Sequence, residues 1–399
     1  MENVKWGLAG VPLRLRLGRC PMDSSTVQLL CELIELPSVN PAFLPPGDPR
    51  AGEEIVGLHV ADRARKAGLE VSFQKVRPGR SNVLARLAPS GKTRHRVLLS
   101  PHLDTVGFPA LDELLKPRVK TGRVIGRGAC DTKGCVAAML TALMSVARSG
   151  LRPKQTEILF TAFVDEENGQ LGSRFYAQHG PKADLAIVGE PTRLKVVTAH
   201  KGDVWLRLKT IGRSAHGATP HLGRNAVHAM SQVVALLETT YREQLMERSH
   251  PLLGSPTINV GAIRGGTQPN IVPGECIIDI DRRTLPGETE AQVRREIAVL
   301  LRQHRLQATF ENLRMDVCPA VETSPELSWV QSLCRAARRQ ETVGVHYFCD
   351  AAPLAAVGIP AVVFGPGDIA QAHTRDEWIS IASLDRGVVI LERYLRQLP

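Results

Sequence analysis

Apolar positions along the chain repeat with two periods, and the alternation between them predicts the architecture. Beginning at Ser24, Val27, Leu30, Leu33 and Ile34 recur at the spacing of one helix face, and Pro37 ends the run. Residues 40–52 hold four prolines and read as a loop. A second helix is predicted over 53–68, with Gly68 as its cap. Short strands follow over 71–76 and 82–87, then an apolar strand over 97–100. Next come a long Ala-rich helix over 132–149, a strand over 158–164, a helix over 173–179 and a strand over 185–188. Strands alternating with helices predict a mostly parallel sheet covered on both faces, an α/β fold.

The middle of the chain changes character. Residues 201–211 alternate in polarity, as a half-buried strand does, and 225–247 has the helical period. Strands over 257–263 and 276–281, a helix over 290–304 and a strand over 307–312 complete a β-α-β-β-α-β order, the ferredoxin-like unit. The α/β pattern then resumes with a helix over 326–340, a buried strand over 361–364 and a terminal helix. The predicted organisation is one α/β domain, 23–197 plus 317–399, interrupted by an inserted α+β domain over 198–316. Residues 1–22 read as a loose N-terminal extension, or a start assigned too early. They carry Arg14, Arg16 and Arg19 without a continuous apolar stretch, so they do not form a secretory signal. The first N-cap sequence is Asp23-Ser24-Ser25.

Composition narrows the classes. At 43% hydrophobic and 23% charged residues the chain is ordinary globular protein. No apolar run approaches the ~18 residues of a membrane span. The net charge of +10 invites a polyanion partner. Aromatics at 4% and basic residues scattered along the chain argue instead for no nucleic acid and no membrane among its partners. The eight cysteines contain no Cys-x-x-Cys pair, which excludes a zinc knuckle or a small disulfide framework and points to a reducing cytoplasm.

Ligands of an α/β sheet bind beyond the carboxyl ends of its strands, so polar residues just after predicted strands are the ones that matter. Strand 97–100 runs into Pro101-His102-Leu103-Asp104, and strand 158–164 into Asp165-Glu166-Glu167. Strand 185–188 runs into Gly189-Glu190, and strand 361–364 into Gly365-Pro366-Gly367 and on to His373. Asp131 opens the long helix. Each fragment alone has an ordinary explanation as a surface pair or a solvated turn. Five of them converging on one sheet edge is what points to chemistry.

The same segments carry a family resemblance from about Ser24 onward. Pro-His-Leu-Asp-Thr-Val at 101–106, Gly-Arg-Gly-Ala-Cys-Asp-Thr-Lys-Gly at 126–134 and Asp-Glu-Glu-Asn-Gly at 165–169 are three of the matching motifs. Gly-Glu-Pro-Thr at 189–192 and Gly-Pro-Gly-Asp-Ile-Ala-Gln-Ala-His at 365–373 are the others. Together they resemble the acetylornithine deacetylase and succinyl-diaminopimelate desuccinylase family of metal-dependent amidohydrolases. The resemblance implies two zinc ions, with cobalt or manganese as substitutes, bridged by Asp131. One ion would add His102 and Glu190, the other Glu167 and His373. Imidazole and carboxylate donors suit zinc while leaving a position open. Asp104 would fix the His102 tautomer, and Glu166 would be the general base. Pro101 stands where the family often has Gly, and Thr132-Lys133-Gly134-Cys135 where it commonly has Met-Lys-Gly-Gly; no ligand is lost. Cys130 and Cys135 are set aside as buried thiols.

In the inserted domain, Ser214-Ala215-His216, Pro220 and Gly223-Arg224-Asn225-Ala226 match the family's lid, where the His reaches the substrate oxyanion, often from a partner subunit of a homodimer. The resemblance also places Asn270 and Arg283 at the substrate. Arg283 is preferred to Arg282 because Asp281-x-Arg283-x-x-Pro286 fits the pattern, and its guanidinium would clamp a carboxylate. Arg283 pairing only with Asp281, and His216 only capping a turn, stand as the plainer explanations. Gly365 and Gly367 would add a backbone nest for the same carboxylate. The implied activity is hydrolysis of an N-acyl amino acid. A di- or tripeptidase, a carboxypeptidase or a non-catalytic binding protein on the same fold are the alternatives. A serine hydrolase is excluded, because the chain has no Gly-x-Ser-x-Gly elbow.

Overall fold

The computed structural model describes residues 25–109, 111–313 and 317–399. The proposed extension over 1–22 lies outside them. Two units with separate cores are present, and each follows from the polarity patterns above.

The larger unit is built on a nine-stranded sheet. Its centre is four parallel strands in the order Thr156–Ala162, His95–Pro101, Leu185–Gly189 and Ala361–Val363. Antiparallel strands flank them: Glu70–Arg77 and Arg80–Leu87 on one side, Val197–His200 and Val321–Glu322 on the other. Every residue of Thr156–Ala162 and Leu185–Gly189 is buried, as strands covered on both faces require. The two faces divide with a period of two. Val97, Leu99, Ile158, Phe160, Leu185 and Ile187 pack under the helices Ser25–Glu35, Lys133–Arg148 and Ile381–Arg396. Leu98, Leu159, Ala186 and Val188 face the opposite layer, with Tyr176 and Leu354.

The chain leaves this sheet after His200 and rejoins it at Val321. Between them lies a four-stranded antiparallel sheet in the order Thr257–Gly265, Glu275–Thr284, Gly202–Ile211, Thr309–Asn312, which is the strand order of a ferredoxin-like unit. One face is covered by Glu290–Gln303 and by Ala226–Leu236, which continues through a π turn, Leu237–Tyr241, into Arg242–Met246. Leu206, Leu208, Met230, Val233, Ile278 and Ile297 form its own core.

The predicted elements are present with ends shifted by a few residues. The helix expected over 326–340 closes earlier, at Ala337, because Arg338 takes a left-handed backbone, φ 54°. Six short strands among the described residues were not foreseen: Val197–His200, Val321–Glu322 and Val343–Val345 join the large sheet, and Arg118–Lys120, Arg123–Ile125 and Trp378–Ser380 form a small antiparallel one. Two to four residues are too few to display a period of two. Among the described residues no helix is long and apolar enough to cross a membrane.

Candidate metal centre

Because the four central strands run in one direction, their carboxyl ends share one edge, and the candidate residues meet there. His102 follows His95–Pro101, Glu166 and Glu167 follow Thr156–Ala162, and Glu190 follows Leu185–Gly189. Asp131 precedes the helix Lys133–Arg148 through a cis Asp131–Thr132 peptide. His373 arrives from the loop beyond Ala361–Val363, at a positive φ of 57°.

The distances divide the cluster into two halves about Asp131. Its Oδ1 lies 3.2 Å from His102 Nε2, and its Oδ2 lies 3.3 Å from His373 Nε2. On the first side Glu190 Oε1 is 3.7 Å and Glu166 Oε2 is 3.9 Å from His102 Nε2. On the second, Glu167 Oε2 is 3.1 Å from His373 Nε2. His102, Asp131 and Glu167 bring three donor atoms within 4.8 Å of one another, and so do His102, Glu166 and Glu190.

The electrostatics of this cluster call for cations. Burial pushes Glu166 and Glu190 well above the ordinary carboxylate range, against the opposing pull of His102. Burial and the neighbouring Asp131 carry Glu167 to about 7. Burial alone would depress the His102 imidazolium, but its hydrogen bonds to Asp104 and Asp131 and the fields of Glu190 and Glu166 leave it well raised. Hydrogen bonds to Asp131 and Glu167 lift His373 to about 10. The raised proton affinities reflect negative charge crowded into a buried pocket, whose other donors are imidazoles. Hard and borderline divalent ions fit that donor set.

A layer of fixed groups supports the donors. His102 Nδ1 lies 3.0 Å from the Asp104 carbonyl and 3.4 Å from its carboxylate, which leaves Nε2 turned to the cluster. The same carboxylate accepts the backbone N–H groups of Glu166 and Glu167, each at 3.0 Å, so Asp104 also sets the turn that presents the two glutamates. Asn40 donates to Asp104 at 2.7 Å and to Asp165 at 3.0 Å. Arg80 ties Asp165 to Glu53.

Glu377 does the corresponding work for Asp131. Its carboxylate accepts the N–H groups of Gly128, Cys130 and Asp131 at 3.0, 2.8 and 2.9 Å, and pairs with buried Arg127 at 2.6 Å. Sequence reasoning missed Glu377, Asn40, Glu53 and Arg80. Only Glu377, four residues after His373, stands near a recognised motif; Asn40, Glu53 and Arg80 lie well before the first of them. Glu377→Ala is expected to lower stability by about 3–5 kcal/mol, since it strands a buried guanidinium and three N–H groups. Denaturant titration checks this, and an unchanged midpoint would show that the loop holds itself.

Not every expected residue joins the centre. His216 and Asn270 lie side by side: Gly217 N donates to the Asn270 carbonyl at 2.7 Å, and His216 pairs with Ile271. Both belong to the hairpin end of the four-stranded sheet. Arg283 is at the other end of the strand Glu275–Thr284, seven residues on from Cys276 and so roughly 24 Å away at about 3.4 Å per residue. It pairs with Asp281 at 2.9 Å and lies over the Phe348 ring at 5.4 Å. Within one chain His216 and Asn270 therefore do not share a site with Arg283. Gly365 and Gly367 do not present a nest. Their N–H groups are donated to Thr192 Oγ1 at 3.2 Å and Ser383 Oγ at 3.3 Å. A Cβ at Gly365 would sit 2.4 Å from Cys135 Sγ, and one at Gly367 2.8 Å from Cys130 Sγ. Those glycines admit the two thiols that the sequence reading set aside.

Comparison with known proteins agrees with this geometry. The profile of Peptidase family M20/M25/M40 matches residues 98–397. The chain belongs to that family. Its M20 relatives include an acetylornithine deacetylase of Vibrio cholerae, 33% identical over 359 residues, covering 87% of this chain and 92% of the relative. Among solved structures, the aminopeptidase PepT of Bacillus cereus superposes with a TM-score of 0.74 at 22% identity, covering 93% of this chain and 97% of that one. An M20 family metallo-carboxypeptidase of Sulfolobus solfataricus also reaches 0.74, at 17% identity, over 94% and 99%. These last two establish a shared fold. As an M20 chain this protein is a hydrolase of the metallopeptidase and deacylase class, and the His–carboxylate cluster is its candidate metal-binding site.

Proposed function

We propose that this M20 hydrolase removes the acyl group from an N-acyl amino acid, as acetylornithine deacetylases do, and that it works in the cytoplasm as a homodimer with two zinc ions per chain. The observation carrying the two-ion reading is Asp131, whose two oxygens face different histidines. Asp131, His102 and Glu190 would hold one ion; Asp131, His373 and Glu167 would hold the other. The bound ions would supply Lewis acidity, polarising the amide carbonyl and lowering the pKa of water.

The chain's own residues do the rest. Glu166 would carry the proton transfer; its N–H is fixed by Asp104, and its Oε2 lies 3.9 Å from His102 Nε2, which supports that role. Burial raises its proton affinity and bound cations lower it, which suits a group that takes a proton from the attacking water and returns it to the departing amine. Asp104 keeps the His102 ring oriented throughout. Arg283 would clamp the carboxylate of the substrate after exchanging its pairing with Asp281.

N-acetylornithine, N-succinyl-diaminopimelate, N-acetylated neutral amino acids and di- and tripeptides form the deciding panel. The expected result is preference for an N-acyl amino acid, lost on chelation and restored by zinc. Preference for the peptides would make the protein a peptidase, and inactivity of a zinc-loaded preparation on the whole panel would reject the hydrolytic reading.

His216 belongs to this proposal as a donor to the oxyanion from a second copy, since its own chain keeps it with Asn270 at the far end of the sheet. His216→Ala is expected to slow turnover roughly 10²–10³-fold. Mixed dimers of His216→Ala and Glu166→Gln chains should regain activity that neither parent has. Failure of every such mixture to gain activity would confine His216 to a turn.

A further inference from the structure

Beside Asp165, the residue that precedes Glu166, lies a cavity of about 430 Å³ lined in part by Arg77, Arg80 and Arg174. Arg77 and Arg80 stand directly opposite each other across the tip of the hairpin formed by Glu70–Arg77 and Arg80–Leu87. Like charges so placed repel. Arg80 is neutralised by Glu53 and Asp165. Among the described residues no hydrogen bond or ion pair engages the Arg77 side chain.

The cavity has a surplus of donors. Asp165 is its one carboxylate, and its oxygens already accept from Arg80, Asn40 and the Leu171 N–H. The Gln170 side chain is buried, and its Nε2 has no acceptor. Arg174 reaches the Gly169, Gln170 and Val317 oxygens, and Asn168 stands at the wall. A space of this size lined by guanidinium and amide N–H groups is complementary to a ligand that only accepts hydrogen bonds.

We propose that this cavity binds a small oxyanion, a carboxylate or a phosphate, and that its occupancy is relayed to the metal centre. The relay is short. Asn40 lines the cavity and uses its amide Nδ2 on both Asp165 and Asp104. Asp104 in turn holds His102 and the N–H groups of Glu166 and Glu167. An anion that draws Arg80 or Asn40 toward itself shifts the partner that fixes both glutamates. Asp165, the residue before Glu166, is the second connection.

The test is calorimetric titration of the metal-loaded full chain with inorganic phosphate and, separately, with succinate, at constant ionic strength. Arg77→Ala should weaken binding roughly 10- to 100-fold, the size of one charge-assisted hydrogen bond. Arg77→Glu should abolish it, whereas Arg302→Ala, an exposed arginine of the other unit, should leave it unchanged. Whichever anion binds tighter identifies the source. The metal centre itself attracts anions, so affinity that stays the same in Arg77→Glu, or no saturable binding at all, overturns the proposal. Saturation of the wild type should also change kcat/KM on whatever substrate is turned over, and Arg77→Ala should remove that response; binding without any response refutes the relay. The titration needs no turnover, so it stands whether or not the deacylase assignment does.

Discussion

Glu166→Gln is expected to reduce turnover roughly 10²–10⁴-fold while the metal content of the protein stays the same. Glutamine keeps the size and the backbone N–H that Asp104 holds at 3.0 Å, and loses only the capacity to accept and return a proton. Two other residues make the measurement decisive. Glu166 lies 3.9 Å from His102 Nε2, hardly farther than Glu190 at 3.7 Å, and both can join His102 in a three-donor group. Distance alone therefore gives Glu166 two roles, ligand or base. Elemental analysis beside kinetics separates them. Loss of one ion with loss of activity makes Glu166 a ligand, and retention of most activity removes it from the chemistry.

The centre was legible in the sequence because its donors, His373 on its longer loop excepted, sit within a few residues of a strand or helix end. Parallel strands convert that local placement into proximity, so His102 and Glu190, 88 residues apart, needed no further information to be brought together. Glu377 was not legible for the opposite reason. It acts on N–H groups of residues 128–131, and nothing local marks an acidic residue beside Asp376 as buried rather than solvated. Asn40 and Arg80 are alike: their partner Asp165 comes from a different strand end, and a proline-rich loop and a hairpin tip ordinarily face water.

The inserted unit shows where residue matching stops. Its strand order follows from alternating polarity, but the positions of His216 and Arg283 at opposite ends of the four-stranded sheet do not, because period-two patterning fixes which face a residue takes and not how far along the strand it lies from another chain segment. Gly365 and Gly367 mislead in the same way. A Gly-Pro-Gly turn suggests free N–H groups, yet both are spent on hydroxyls. The missing Cβ atoms are explained instead by Cys130 and Cys135, neighbours only in the folded chain.

On the proposed two-ion reading, Asp131→Ala should abolish detectable turnover and remove both ions, whereas His373→Ala should remove one. The contrast follows from the bridging position. Asp131 gives Oδ1 to the His102 side and Oδ2 to the His373 side, so its loss takes a negative donor from each half at once. The backbone there need not move, because Glu377 holds the Asp131 N–H at 2.9 Å irrespective of the side chain. Neither variant is therefore expected to unfold, and circular dichroism with a thermal scan verifies that. His373 is about half exposed and meets only the second half, through Glu167 and Asp131. Its removal leaves His102, Glu190 and Asp131 in place for one ion. Equilibrium dialysis followed by elemental analysis counts the ions directly. Equal losses in the two variants would refute the division of the cluster about Asp131, and wild-type metal content in Asp131→Ala would end its assignment as a ligand.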